Sequence, residues 1–256
     1  MSTKIKKIGH ASISENNSKY GVAGDSTGKE VCVVNNYDIS RIKPYIVLRP
    51  KTDLLAVTSA AACLKGCIND NIGYSQSNRN TLYTRAKELN SDLTKVDLLT
   101  ILTKCNTDCS AFMTVCALVG GAKIDYGSNA PTTSTMRARF KQSGYYEVLT
   151  DAKYTNSADY LKCGDILVKE GYHTIMVLEN GIAIPDIPIP DVPIIDDDPP
   201  TPVEQIVTPI TSTTWANQQF NNSKPSVKKV YIRINNEYKQ AVAYLLDNPV
   251  AVHLNK

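Results

Sequence analysis

The chain has 256 residues, of which 42% are hydrophobic, and its 28 basic and 25 acidic residues leave a formal net charge of +3. This length and composition allow one sizeable globular domain with its own core and a smaller module beside it. The small net charge argues against a nucleic-acid-binding protein; it is compatible with an anionic polymer as a partner, but an ordinary charged surface is the favoured explanation.

The sequence predicts neither a membrane span nor a secretory signal. No stretch approaches the roughly 20 apolar residues that a membrane-spanning helix needs. The N-terminal residues 1–7 include three lysines, but no apolar segment follows them. We therefore expect synthesis in a cytoplasm and, for any external target, a separate route of release.

The first 50 residues predict short β-strands, over residues 8–13, 31–34 and 45–48. A glycine-rich loop, residues 21–28, joins the first two strands. It looks like a phosphate-binding loop, but the first glycine is missing at the required spacing and a strand follows instead of a helix. A phosphate-binding loop is therefore excluded.

Residues 51–182 predict helices first and then a sheet. Helical periodicity covers residues 53–68, 79–89, 91–102 and 109–119, and Gly120–Gly121 is a stop signal after the last of them. A short helix over 132–142 and strands over 145–149, 164–168 and 173–178 follow. Helices followed by an antiparallel sheet predict an α+β fold.

The composition then changes sharply. Residues 183–214 are rich in proline, which predicts an extended, semi-rigid linker. Residues 215–256 form a small β-rich module that is marginal for independent folding. We therefore predict a main domain over residues 1–182, a linker, and a C-terminal module that binds another surface or oligomerises.

Seven cysteines raise the questions of redox state and metal binding. They are Cys32, Cys63, Cys67, Cys105, Cys109, Cys116 and Cys163. The odd number and the missing signal predict reduced thiols. Two pairs are spaced four residues apart, which leaves a zinc site open, but structural zinc motifs are usually tighter and small buried cysteines are favoured. We predict no metal and no cofactor.

Cys109 and His173 are the candidate reactive residues. A polar segment ending at Asp108 runs straight into an apolar helix, so Cys109 lies at the helix N-terminus, where free N–H groups and the helix dipole favour a thiolate. His173, one of only three histidines, begins a strand that can pack on this helix. A thiol and an imidazole are the first two groups of a cysteine hydrolase. The alternatives are a small buried cysteine and a surface turn histidine.

Three motifs in order resemble a known family. Asp108-Cys109-Ser110-Ala111-Phe112, then the segment 164–167, then the segment 171–181 resemble the NlpC/P60 cysteine peptidases and the related CHAP amidases. Segments 8–11 and 23–31 resemble the opening of phage and prophage endolysin-type hydrolases. The resemblance spans most of residues 8–181.

The resemblance implies a papain-like fold in which Cys109 is the nucleophile and His173 the general base. The backbone N–H of Cys109, with its neighbour Ser110, would line the oxyanion hole. The implied activity is cleavage of stem-peptide amide bonds in bacterial peptidoglycan. The implied location is the cell wall, reached after release from the cytoplasm of the bacterial host, with the C-terminal module binding the wall or anchoring the chain to a particle.

The sequence departs from the family at the third catalytic position, which falls on Pro185. Glu179 and Asn180 are about 20 Å from His173 along the same strand, too far to orient it. His10 and Asp25 are the remaining candidates, because the N-terminal strands can occupy the vacated sheet edge; an ordinary strand histidine and a turn aspartate are the alternatives. This departure leaves open a non-catalytic phage structural or adhesion component, and the cysteines leave open a zinc protein.

Overall fold

The computed structural model describes residues 2–14, 16–184, 226–234, 237–245 and 250–254. The chain divides into two compact units, residues 1–192 and 193–256. In the second unit, three strands pair in antiparallel fashion in the order β11-β10-β9: β9 (Ser226–Ile234), β10 (Glu237–Leu245) and β11 (Val250–Leu254). Residues 185–214 of the predicted linker lie outside the described residues.

The first unit contains eight strands and six helices within its described residues. The strands are β1 (Lys4–Ala11), β2 (Val31–Asp38), β3 (Ile46–Pro50), β4 (Ile72–Tyr74), β5 (Cys105–Thr107), β6 (Tyr146–Leu149), β7 (Ile166–Lys169) and β8 (His173–Val177). The helices are α1 (Ile39–Ile42), α2 (Asp53–Cys67), α3 (Thr81–Leu89), α4 (Cys109–Val119), α5 (Met136–Gln142) and α6 (Ala152–Thr155).

Six strands form one sheet in the order β2-β1-β8-β7-β3-β6, and every neighbouring pair is antiparallel. The N-terminal strand β1 therefore lies beside β8, the last strand of this unit. The pairing of β1 with β8 is short, with Ile8 opposite Val177 and Gly9 opposite Met176. Strands β4 and β5 form a separate parallel pair.

The sheet has a buried cluster on each face. On one side, residues of α2 and α4 pack with Met176 of β8. On the other side, Ile8 of β1 packs with Ile175 and Val177 of β8. Successive side chains of a strand point to opposite faces. In keeping with this alternation, Met176 belongs to one cluster, and its neighbours Ile175 and Val177 belong to the other. The face of β8 that carries Met176 is therefore the one that meets α4.

A glycine lets β1 lie close to α2. A Cβ atom at Gly9 would lie 2.5 Å from the sulfur of Cys63 and 3.1 Å from that of Cys67. No side chain fits at that distance without displacing the buried sulfur atoms. The glycine therefore sets the close approach of β1 and α2, and with it the position of the residue that follows, His10.

The predicted α+β class is confirmed, with a six-stranded antiparallel sheet and helices packed on it. The helix predicted over residues 91–102 is wrong: two short 3₁₀ turns, Leu93–Lys95 and Leu98–Thr100, occupy that segment. Asp92 and Asp97 each accept a backbone N–H two residues ahead, at 3.2 and 3.0 Å. Aspartate capping at two successive points starts two separate turns where one continuous helix was expected.

No helix within the described ranges is long and apolar enough to cross a membrane.

Candidate active site

The candidate site begins at the N-terminus of α4, with Cys109 as its first residue. Asp108 is the N-cap: its Oδ1 accepts the backbone N–H of Ala111 at 2.8 Å and the hydroxyl of Ser110 at 3.0 Å. Capping by aspartate satisfies the free N–H groups of the first turn. The cap therefore fixes where the helix starts and where the Cys109 thiol lies.

Arg79 holds this cap in place. Its guanidinium donates to both carboxylate oxygens of Asp108, at 2.5 and 3.1 Å, and to Ser110 Oγ at 2.7 Å. It also donates to the carbonyls of Ala130 and Pro131, at 2.7 and 2.9 Å. Such a bidentate contact fixes the orientation of the carboxylate as well as balancing its charge. Nothing in the sequence pattern singled out Arg79, because it lies 29 positions before Asp108 and this separation carries no spacing signal.

The Cys109 side chain is buried, with 6% of its surface exposed. Burial and then the neighbouring Asp108 carboxylate raise the pKa of the thiol to about 12, although the N–H groups of Thr174 and Ser110 hydrogen-bond to its sulfur and act in the opposite direction. The tendency of the helix N-terminus to favour the thiolate is thus outweighed by desolvation of the thiol. The resting form is a neutral thiol.

The thiol reaches β8 where β1 and β8 separate. The N–H of Leu178 donates to Lys7 of β1, so alternate N–H groups of β8, including that of Thr174, point toward β1. The paired residues of the two strands end at Gly9 and Met176, short of Thr174. The Thr174 N–H therefore lies beyond the paired residues, and it acts to lower the pKa of the Cys109 thiol.

His10 and His173 form an imidazole pair at the same end of the sheet. His10 Nδ1 lies 3.4 Å from His173 Nε2, and the rings meet edge to face with centroids 5.6 Å apart. Burial lowers the pKa of each ring to about 4; for His10 the neighbouring His173 acts in the same direction, and for His173 the Asp108 carboxylate acts in the opposite one. Both rings are therefore neutral at pH 7.

The thiol and the imidazole pair are neighbours without being joined. Within the described residues, no hydrogen bond links Cys109 to His173; the thiol instead contacts Thr174, the next residue along β8. The alternation of β8 also places His173 on the side of the sheet that carries Ile175 and Val177, opposite α4. Catalytic hydrogen bonds are often long in a free enzyme and tighten with substrate.

The other two predicted residues have structural partners. Asp25 is buried and accepts hydrogen bonds from the N–H and hydroxyl of Thr27 and from the N–H groups of Glu30 and Val31. Burial tends to raise the pKa of Asp25, but these bonds outweigh it and lower the value. Asp25 thus organises its own loop, and its hydrogen bonds do not join it to the imidazole pair. The Ser110 hydroxyl is likewise taken up by Asp108 and Arg79.

All seven cysteines are free thiols. Within the residues that the structure describes, no group of three or more histidine, cysteine, aspartate or glutamate side chains is arranged to hold a metal ion.

The imidazole pair predicts a pH-dependent stability. Each ring has a pKa near 4 in the folded chain and near 6.5 when unfolded, so the unfolded state binds more protons between these values. Stability is then fully present above pH 6.5 and is lost as the pH falls toward 4, by about 1.4 kcal/mol per pH unit for each proton taken up. Urea unfolding at pH 7.5, 6 and 5 measures this loss.

The matched control for that experiment is the double variant His10→Gln, His173→Gln. We expect its unfolding free energy to fall much less between pH 7.5 and 5, because the groups that take up protons are gone. Equal pH dependence in the native chain and the double variant would contradict the assignment of partly buried, neutral rings.

A family model described as an endolysin-like domain matches residues 8–184. The match covers more than half of the chain and includes the second half of β1 with His10, α4 with Cys109 and β8 with His173. No curated protein and no solved structure shows significant similarity to the chain.

Proposed function

Because the chain belongs to the endolysin-like domain family, a family of lytic, phage-type cell-wall enzymes, we propose that it is a cysteine hydrolase that cleaves amide bonds of peptidoglycan stem peptides. Cys109 is the nucleophile, His173 the general base and His10 the group that orients His173. The fold is proposed to be papain-like, of the kind found in the NlpC/P60 and CHAP enzymes.

One observation carries the proposal. Cys109 begins a capped helix and its thiol contacts Thr174, while the adjacent His173 is paired through Nε2 with His10. A thiol, an imidazole and a group that orients the imidazole are the set that cysteine hydrolases use. Here the three come from α4, β8 and β1: the two strands are neighbours in the sheet, and α4 contacts β8.

The reaction starts with the Cys109 thiol and the His173 imidazole both neutral. As substrate binds, His173 takes the thiol proton and the Cys109 sulfur attacks the carbonyl carbon of the scissile amide. The tetrahedral intermediate collapses to a thioester when the imidazolium of His173 gives its proton to the leaving amine. Water, deprotonated by His173, then attacks the thioester, and the carboxylic acid product leaves with the Cys109 thiol restored.

The oxyanion is stabilised by backbone N–H groups at the start of α4. The N–H of Cys109 is free of an intrahelical partner because it belongs to the first turn. The helix dipole adds to its effect on a developing negative charge. Since the Ser110 hydroxyl is held by Asp108 and Arg79, the role of Ser110 is to fix the first turn, and its side chain does not enter the oxyanion hole.

The test is digestion of purified peptidoglycan from several Gram-positive walls, followed by loss of turbidity and by release of amino groups. We expect at least one wall to be cleared and new amino groups to appear. Mass spectrometry of the fragments then distinguishes a sugar–peptide amide from a bond within the stem peptide or cross-bridge. No release from any wall would contradict the proposal.

A second candidate is a non-catalytic wall-binding or particle component with this fold. Two observations favour it: the thiol is buried with a pKa raised to about 12, and no hydrogen bond joins it to His173 in the described residues. On this alternative the native chain sediments with insoluble peptidoglycan but releases no amino groups. Sedimentation with release supports the hydrolase.

A further inference from the structure

Cys32 is the third member of a row of polar side chains that crosses three strands. It lies directly opposite His10 in the register of β2 and β1. Its sulfur is 3.5 Å from His10 Nε2, and it donates its own hydrogen to the carbonyl of Lys29 at 3.3 Å. The row therefore runs from Lys29 through Cys32 and His10 to His173.

Counting hydrogens fixes the direction of this row. A thiol has one hydrogen, and we assign that of Cys32 to the Lys29 carbonyl, which can only accept, so that toward His10 the sulfur acts as an acceptor. His10 must then carry its hydrogen on Nε2. A neutral imidazole has one N–H and one lone pair, so His10 Nδ1 is left as an acceptor.

The same count extends to His173. Because His10 Nδ1 accepts, the bond of 3.4 Å between the rings must be donated by His173 Nε2. The lone pair of His173 is then on Nδ1, and that nitrogen is the one able to take a proton. With the opposite direction, His173 would carry its hydrogen on Nδ1 and its only lone pair would face His10.

We propose that Cys32 is a positioning residue that sets the tautomer of His10 and, through His10, leaves the Nδ1 lone pair of His173 free to act as the base. The catalytic part of this inference rests on the proposed function; the tautomer part does not. Cys32 itself forms no bond to substrate and undergoes no chemical change in the reaction.

The tautomers are measured directly by nitrogen-15 NMR of the full chain labelled at histidine. The sequence has only three histidines, His10, His173 and His253, so His→Gln variants assign every ring. Protonated and unprotonated ring nitrogens resonate in separate regions. At pH 7.5 we expect both His10 and His173 to carry hydrogen on Nε2 and a lone pair on Nδ1.

Substitution at Cys32 tests what sets these tautomers. In Cys32→Ala the acceptor is lost, and we expect the His10 signals to become a mixture of both tautomers. Cys32→Ser keeps one donor and one acceptor, and we expect it to restore the native signals. Cys163→Ala is the matched control, because Cys163 is also half-buried and donates to a backbone carbonyl, that of Leu178.

Kinetics on the cleaved wall test the catalytic consequence. For Cys32→Ala we expect kcat to fall by roughly tenfold with KM unchanged, a loss typical of removing an orienting partner. Cys32→Ser should recover most of the rate, and Cys163→Ala should not change it. Thermal unfolding of each variant separates this effect from a loss of folded protein.

Three results would overturn the inference. The first is a native His10 that carries its hydrogen on Nδ1. The second is a Cys32→Ala variant with native tautomers and native kcat. The third is loss of all activity in Cys32→Ala while Cys109→Ala stays active, which would make Cys32 the nucleophile. If the native chain cleaves no wall, the proposed function fails, and the NMR spectra alone decide the tautomer assignment.

Discussion

Replacing Cys109 with alanine is expected to lower the rate of peptidoglycan cleavage by on the order of 10³-fold or more, without loss of folded protein. Removing the nucleophile of a hydrolase leaves only the rate enhancement due to binding and the oxyanion hole. Cys109 is buried and near the start of α4, but alanine is a better helix former and removes a single sulfur atom. Amino-group release and thermal unfolding measure the two effects separately.

Matched substitutions show whether the loss belongs to the site. Cys163→Ser changes a half-buried cysteine that bonds to Leu178, and should retain the native rate. His173→Ala should be nearly as inactive as Cys109→Ala, because residues that act as one unit are not additive. Native activity in Cys109→Ala would refute the assignment of Cys109 as the nucleophile. An active Cys109→Ala variant together with an inactive Cys32→Ala variant would identify Cys32 of β2, which contacts His10, as the nucleophile.

The parts of the fold that were predictable are those set by local signals. The strand beginning at His173 and the helix beginning at Cys109 both lie where periodicity and capping placed them. Helix α2 begins at Asp53, where the helical periodicity was predicted to begin, and Thr52 caps it by accepting the N–H of Leu55 at 3.2 Å. Each of these features depends on residues a few positions apart.

The contacts that form the candidate site join residues that are far apart in the sequence. The imidazole pair joins residues 163 positions apart, and Arg79 reaches Asp108 across 29 positions. The placement of His10 near His173 was expected only because the family's third position falls on Pro185 and leaves a sheet edge vacant. Strand order is a property of the whole chain, so residue spacing alone does not specify it.

The resting chemistry of Cys109 also differs from the expectation based on its position. The helix N-terminus and the N–H of Thr174 favour the thiolate, yet burial and the adjacent Asp108 raise the pKa to about 12. The N-cap that defines the helix thus places a carboxylate beside the sulfur. Sequence reveals the cap but not the degree of burial, and here burial dominates the protonation state.

Replacing Arg79 with methionine is expected to destabilise the fold by about 3–5 kcal/mol, the range for removing one partner of a buried ion pair. The Asp108 side chain, 12% exposed, would lose its counter-charge, and the carbonyls of Ala130 and Pro131 would lose a donor. Methionine keeps much of the apolar part of the arginine side chain, so the loss of stability measures the contribution of the guanidinium group. Urea unfolding at pH 7.5 measures it.

Arg139→Met is the matched control, because Arg139 pairs with Asp125 at the surface, where both side chains are largely exposed. Surface pairs of this kind contribute about 0–1 kcal/mol. The double variant Arg79→Met, Asp108→Asn removes both charges, and we expect it to lose less stability than the two single losses added together, because no carboxylate is left buried alone. A loss below about 1 kcal/mol in Arg79→Met would mean that water, not Arg79, satisfies Asp108, and that the start of α4 does not depend on this pair.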